Sequence, residues 1–436
     1  MLRLAAPLAL AELAWIAMGF VDIVMAGRLG PAAIGAGSVG NMLFFPIAVA
    51  GTGMLLGMDT LVAQAFGAKN VEECRQTLID GVWMALGLSP IIAAILWSLL
   101  PAVRAAGANA NVVALLGPYV RALLPGIPAL LCFAAFRRYL QAINIAGAVT
   151  FAAISANAIN LLGDWVLMFG NWGAPKMGLE GSAWSTTLAR FYMAAVLLGA
   201  VIWSERKSGR LPFRYRGPDF QRIRALFGLG LPSALQIMVE GAIFSVVSVL
   251  AAKLDEVSLA AHAVAMNVVT ITYMIPLGIS SAAAVRVGHA VGRNDRQGIA
   301  LAGWTALLLG AICMGTAGLA LFTAPQAIVR RYTAEAAVIA TGAALLRVAA
   351  VFQLFDGFQV VAMGALRGLG DTRTPMLAHL AGYWFVGLPV SYALCFRLGW
   401  GARGLWVGLC VALILIGGSL VVIWHRRAGG PAMDSP

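Results

Sequence analysis

Apolar residues fill this chain in long runs, and most runs reach the roughly 20 residues that a helix needs to cross a bilayer. They predict twelve helices, over 4–27, 33–66, 77–99, 112–136, 148–169, 180–203, 226–252, 259–288, 298–321, 337–366, 375–396 and 404–424. The longest polar interval, 204–224 (SERKSGRLPFRYRGPDFQRIR), is basic and contains Gly and Pro, so it reads as a connector between two halves. The first run resembles a signal peptide, with Arg3 ahead of an Ala/Leu-rich stretch. Glu12 and Asp22 interrupt it, however, and it has a counterpart later in the chain, which predicts a retained first helix. The charge pattern starts abruptly at Arg3, as it would if a few native residues preceded it.

The halves match at a constant offset of 225. Pro7 falls on Pro232, Leu10 on Leu235, Val24 on Val249, Ala36 on Ala261, Gly53 on Gly278 and Gly67 on Gly292. The segments VAQAFGAKN (62–70) and VGHAVGRND (287–295) share one profile, and a later pair, 137–141 and 366–370, shifts the offset to about 229. Six helices separate the equivalents, so both halves have the same orientation. The expected architecture is an all-α polytopic membrane protein, with two six-helix bundles related by a pseudo-two-fold axis along the membrane normal and a cavity between them. The expected parts are an N-lobe (1–203), a cytoplasmic linker (204–224), a C-lobe (225–427) and a disordered tail (428–436).

Composition agrees with a membrane class. Of the 436 residues 61% are hydrophobic and 11% charged, where a soluble chain would carry about 25% charged residues. The net charge of +12 is unevenly placed: 19 of the 30 Lys and Arg fall in the segments that face inward if the N-terminus is inside, and 8 in those facing outward. That bias puts both termini in the cytoplasm and makes the basic surface a partner for anionic lipid, not nucleic acid. The five cysteines show no paired spacing and read as apolar fillers, and no His-x-x-x-His or Cys-x-x-Cys suggests a metal site.

Three carboxylates, Asp22, Glu240 and Asp356, lie in the middle of apolar runs. A charge at bilayer depth costs at least a few kcal/mol, so such groups usually face a watery cavity or an ion path. Asn157, Asn160, Asp164, Gln236 and His262 are further candidates for lining such a cavity. For Asp59 and Asp164 a cap or an interhelical hydrogen bond is the simpler reading, and His262 reads as a satisfied helix histidine. Glu12 reads as snorkelling toward an interface. Asp80 and Asp371, near Arg75 and Arg373, read as surface charge partners. Pro46, Pro125, Pro128, Pro276 and Pro389 are expected kinks.

Several motifs resemble the multidrug and toxic compound extrusion (MATE) transporters, in their bacterial NorM-like branch. They are MGFVDIVMAGRLGPAAIGA (18–36), DTLVAQAFGAKN (59–70), GLEGSAW (178–184), MVEGAIFSVVSVLAAKLDEVSLAAHAVAMN (238–267) and FDGFQVVAMGALRGLGDTRTP (355–375). Together they run through nearly the whole chain in the family's order. The resemblance implies a transporter rather than an enzyme: secondary active efflux of cationic amphiphilic small molecules, by antiport against H⁺ or Na⁺. It also implies that Asp22, Glu240 and Asp356 bind the coupling cation in competition with the drug, with Na⁺ a possible ligand of Glu240 and Asp356. A monomer in the cell inner (plasma) membrane is expected, with no cofactor beyond the coupling ion. At offset 225 the acids are not repeated, since Asp22 falls on Val247 and Glu240 on Trp15. The lobes are therefore expected to do different jobs, with the main cation site in the C-lobe.

The alternatives differ in their charges and motifs. A lipid-linked oligosaccharide flippase of the same superfamily would keep the fold but need basic residues for a pyrophosphate, and only Arg121, Arg190 and Arg347 lie within the predicted spans. A major-facilitator transporter would show an acidic-Arg-x-Gly-Arg loop where this chain has GAKNVEECR (67–75). A membrane hydrolase would need a nucleophile and a base, yet no GxSxG or His-Glu-x-x-His occurs.

Overall fold

The helices that form follow the predicted runs closely in a computed structural model, which describes residues 1–105, 107, 109–207 and 217–429. In chain order they are α1 (Leu2–Gly27), α2 (Pro31–Met54), α3 (Gly57–Gly67), α4 (Val71–Ala105), α5 (Ala110–Leu123), α6 (Gly126–Ala142), α7 (Ala146–Leu167) and α8 (Leu179–Lys207). There follow α9 (Phe220–Ala252), α10 (Glu256–Gly292), α11 (Arg296–Thr323), the short α12 (Pro325–Val329), α13 (Ala336–Gly368), α14 (Arg373–His379), α15 (Leu388–Tyr392) and α16 (Gly401–Gly429). Among the described residues, eleven helical runs are long and apolar enough to cross a membrane, and the bent pair α5–α6 makes a twelfth. Of the 204–224 connector, residues 208–216 lie outside the described residues, as does all of the 428–436 tail beyond Gly429.

Two of the expected spans are interrupted. The 33–66 run breaks at Leu55 and Leu56 into α2 and α3. Here Gly57 packs so closely on the Leu226 carbonyl, and Gly230 on the Met54 carbonyl, that a Cβ at either position would collide with backbone. The 112–136 run bends by 47° between α5 and α6. Pro125 sits in that break, where its missing N–H and its ring interrupt the helical ladder. The second helix then continues to Ala142, well past the expected end. Arg137 and Arg138 look like a charged exit from the membrane, but Arg137 pairs with the buried Glu12, and Arg138 lies 3.4 Å from the buried Asp59. Glu12 is thus an interhelical partner and does not snorkel.

The helix ends preserve the repeat in backbone geometry. After α3, Lys69 takes a left-handed φ of 60° and the Asn70 N–H bonds to the Ala65 carbonyl at 2.9 Å. After α10, Asn294 has φ 54° and the Asp295 N–H bonds to the Ala290 carbonyl, also at 2.9 Å. These are matching Schellman ends. In each, the following Asn70 or Asp295 side chain caps the next helix, through Glu73 N at 3.1 Å and Gly298 N at 2.8 Å. A second such pair ends α6 and α13: Asn144 (φ 64°) with Ile145 N bonded to Leu140 O, and Gly370 (φ 90°) with Asp371 N bonded to Leu366 O. The later repeat is therefore in register at 226, not about 229.

The chain forms two compact units, one of Leu10–Ala234 and one of Met1–Ala9 with Leu235–Pro436. Each contains six spans, and α9 contributes to both. In the second unit the central α13 packs against α10, α11 and α16 at small residues. Gly364 lies on the Ser280 carbonyl and Gly368 on the Ala284 carbonyl, which is close backbone approach of the kind that drives helix association in lipid. Pro46 and Pro276 lie within continuous helices, whereas Pro389 starts α15 between two π-helical stretches, Leu380–Gly387 and Ala393–Arg397.

Candidate functional site

Each unit brings two of its buried acids into one polar cluster. In the Leu10–Ala234 unit, Asp22 of α1 stands beside Asp164 and Asn160 of α7, and the Thr186 hydroxyl of α8 donates to Asp22 Oδ2 at 3.2 Å. Asp164 is fully buried. Ser182 and Ser185 face it without a well-aligned hydrogen bond, since the Ser185 hydroxyl is committed to the Asn160 carbonyl at 2.7 Å. Asp22 Oδ1 and both Asp164 oxygens thus accept no hydrogen bond from a described residue. A cavity of about 50 Å³ opens beside Asp22, lined also by Gly19, Asn41, Tyr119 and Ser182. That is room for a few water molecules. Arg190 of α8 supplies the nearby positive charge: it is buried, with its guanidinium carbon 4.3 Å from the Phe44 ring centre. Arg121 and Arg347 are exposed instead.

The second cluster lies on α9, α13, α14 and the π-helical stretch after α14. Glu240 and Asp356 are both buried, and one amide bridges them: Gln359 Nε2 donates to Glu240 Oε1 at 3.1 Å and to Asp356 Oδ1 at 3.0 Å. The two carboxylates therefore lie within about 6 Å of each other. The same nitrogen is 3.3 Å from the Tyr383 hydroxyl, so three acceptors compete for two hydrogens. Gln236 Nε2 sits 3.5 Å from Glu240 Oε2 and 3.3 Å from His379 Nε2. Asp356 Oδ2 and Gln359 Oε1 are buried with no hydrogen-bond partner among the described residues. A buried acceptor without a donor costs about 1–3 kcal/mol, and more when charged. The arrangement is rich in acceptors and short of donors, so a bound proton or an oxygen-coordinated cation would relieve it. Its carboxylates, amide oxygen and phenol form a ligand set suited to a hard cation.

The other predicted residues fall into place around these clusters. Asn157 is half-buried, and its amide donates to the Ala14 and Ala153 carbonyls at 2.9 and 2.8 Å, tying α7 to α1. His262 of α10 lies between Trp406 Nε1 at 3.1 Å and the Ser248 hydroxyl at 2.9 Å, two turns along α9 from Glu240, with both ring nitrogens engaged. Asp80 is not a surface partner of Arg75. It is fully buried, accepts from Asp219 N at 2.9 Å and lies 3.4 Å from Arg222, while Arg75 pairs with Glu205. Asp371 pairs with Arg427, not Arg373, at 3.0 Å. Gln359, His379, Tyr383 and Thr186 join the clusters without a signal of charge in the sequence, since their residue types are common in spans and carry no fixed charge. The one available signal was the spacing of Gln359, a turn below Asp356 on the same helix face.

Comparison with known proteins agrees with this architecture. The MatE family model matches residues 7–166 and 232–393, so its two copies begin on the paired Pro7 and Pro232. A probable multidrug resistance protein NorM of Mesorhizobium japonicum is 36% identical over 435 residues, covering 98% of this chain and 93% of that protein. Multidrug resistance protein PmpM of Pseudomonas aeruginosa is 36% identical over 442 residues, covering 98% and 90%. The crystal structure of the eukaryotic MATE transporter AtDTX14 superposes with a TM-score of 0.87 at 21% identity, covering 98% of this chain and 96% of that one. The chain belongs to the MatE family, and it is a membrane transporter rather than an enzyme.

Proposed function

We propose that this transporter expels lipophilic organic cations from the cell by antiport, exchanging them for H⁺ or Na⁺ bound at Asp22, Glu240 and Asp356. The carrying observation is the Glu240–Gln359–Asp356 bridge, in which two buried acids share one amide and Asp356 Oδ2 accepts nothing. Two ionised carboxylates within about 6 Å repel by about 3 kcal/mol at an effective dielectric constant of 20, and a bound cation removes that repulsion. A negative site of this kind also suits a cationic drug with an apolar body, so drug and coupling ion compete. In the other unit, Asp22 adjoins Asp164, and two adjacent buried charges are costlier than one, so a bound cation is favoured there as well. Relatives named as multidrug resistance proteins support the cargo class. The protein works as a monomer in the inner membrane with both termini cytoplasmic, an orientation supported by the basic bias of the inward segments. The test is efflux of ethidium from proteoliposomes with proton and sodium gradients imposed separately. A gradient of one ion should drive accumulation against the drug gradient, and failure of both gradients would refute antiport.

A further inference from the structure

Arg190 is a permanently charged side chain inside a membrane span, only 6% exposed, and it is not one of the groups that hold the coupling ion. Its guanidinium lies over the Phe44 ring at 4.3 Å, and its Nη1 is buried without a hydrogen-bond partner. Among the described residues no carboxylate is in ion-pair contact with it. A buried charge without a contacting counter-charge is costly, and inside a membrane such a group marks a working site. The fold makes room for it. Gly126 begins α6 at the bend after Pro125, and a Cβ there would stand 3.3 Å from Arg190 Cδ and Nη1. On α8, Thr186 donates to Asp22, and Arg190 follows one turn later on the same face, about 6 Å along the axis. Asp22 is the carboxylate whose charge reaches the guanidinium. The Glu240–Asp356 cluster differs in this respect, since among the described residues no guanidinium acts on either acid.

We propose that Arg190 is a built-in counter-ion that sets the charge the Asp22 cluster accepts, so that this cluster takes one monovalent cation and disfavours dications. Asp22 and Asp164, both ionised, against one guanidinium leave one net negative charge. A singly charged organic cation brings the cluster to neutrality. A doubly charged one leaves an excess positive charge in a medium that screens it poorly. Its desolvation cost also grows with the square of the charge, while the attraction of the cluster grows only in proportion. Arg190 does not yield by losing its proton, since a guanidinium stays charged at neutral pH. Stacking on Phe44 and packing against Gly126 hold it out of contact with Asp22, so the acid stays open to a ligand. At an effective dielectric constant of about 20, a unit charge somewhat beyond contact distance changes affinity by roughly tenfold or more for each charge on the ligand. Removing Arg190 therefore favours a dication over a monocation by that factor.

This role rests on drug binding at Asp22, and the test separates the two. The probes are ethidium, which is singly charged, and propidium, its doubly charged analogue, with binding measured in detergent at neutral pH. Glu240→Gln with Asp356→Asn is the background, so that the second cluster contributes no acid. In that protein propidium should bind more weakly than ethidium. Adding Arg190→Met should raise propidium affinity relative to ethidium by roughly tenfold or more. Adding Arg190→Lys instead, which keeps a charge, should hold the background ratio. An unchanged ratio in Arg190→Met would overturn the proposal, and so would an equal rise in both variants, by making room rather than charge the cause. Propidium binding more tightly than ethidium in the background protein would also overturn it, and that measurement requires no change at Arg190. If adding Asp22→Asn leaves ethidium binding in the background unaltered, drug binding at Asp22 itself fails, and the counter-ion loses its site.

Discussion

Removing one charge from the Glu240–Asp356 pair gives the sharpest test of how the site works. Glu240→Gln and Asp356→Asn keep side-chain volume and replace a charge by an amide. Gln359 Nε2 touches both acids at 3.1 and 3.0 Å, so a cation replacing its hydrogens would lie about 3–4 Å from each. At 4 Å and an effective dielectric constant of 20, one carboxylate attracts a monovalent cation by about 4 kcal/mol. Losing it weakens cation binding by roughly a thousandfold, at 1.4 kcal/mol per factor of ten. Each single variant should therefore reduce gradient-driven ethidium efflux to background while staying folded and membrane-inserted. Because both acids hold the same cation, the double variant should transport no worse than either single one. The repulsion between the acids, about 3 kcal/mol at 6 Å, is relieved once by either substitution. Thermal midpoints of the protein in detergent, at high pH without sodium, should then rise in each single variant and rise little further in the double. Wild-type efflux in either single variant would refute the shared-cation reasoning, and so would additive midpoint shifts.

Two other expectations follow from the structure. Asp22→Asn keeps an oxygen that can accept from Thr186 but removes the charge beside Asp164, so ethidium affinity in detergent should fall without any gradient, and the remaining pH response should come from the second unit; an unchanged affinity and pH profile would reduce Asp22 to packing. Arg137→Met leaves Glu12 buried and unpaired, which should cost about 3–5 kcal/mol and lower the thermal midpoint, while adding Glu12→Met should recover much of it; equal midpoints for wild type and Arg137→Met would show that the pair contributes nothing.

Hydrophobic run lengths alone determined most of the helices, because in lipid each backbone polar group must be satisfied within its own segment and a helix is the local solution. The 225 offset was equally visible, and it reappears in the paired Schellman ends at Lys69 and Asn294, since local turn chemistry reads the same residues in both halves. Asp22, Glu240 and Asp356 stood out because a charge in an apolar run is conspicuous without any knowledge of its neighbours. Which partners those acids have was decided only by tertiary packing. Asp164 looked like an ordinary cap candidate until α7 brought it beside Asp22, and Gln359, His379 and Tyr383 carry no charge that a hydropathy scan would register. Arg137 and Arg138 mark a helix exit in isolation, yet Glu12 and Asp59, more than 75 residues away in the chain, supply the charges that let α6 continue. Hydropathy records the cost of burying each residue alone, whereas the folded chain sets that cost by pairing residues that are distant in sequence.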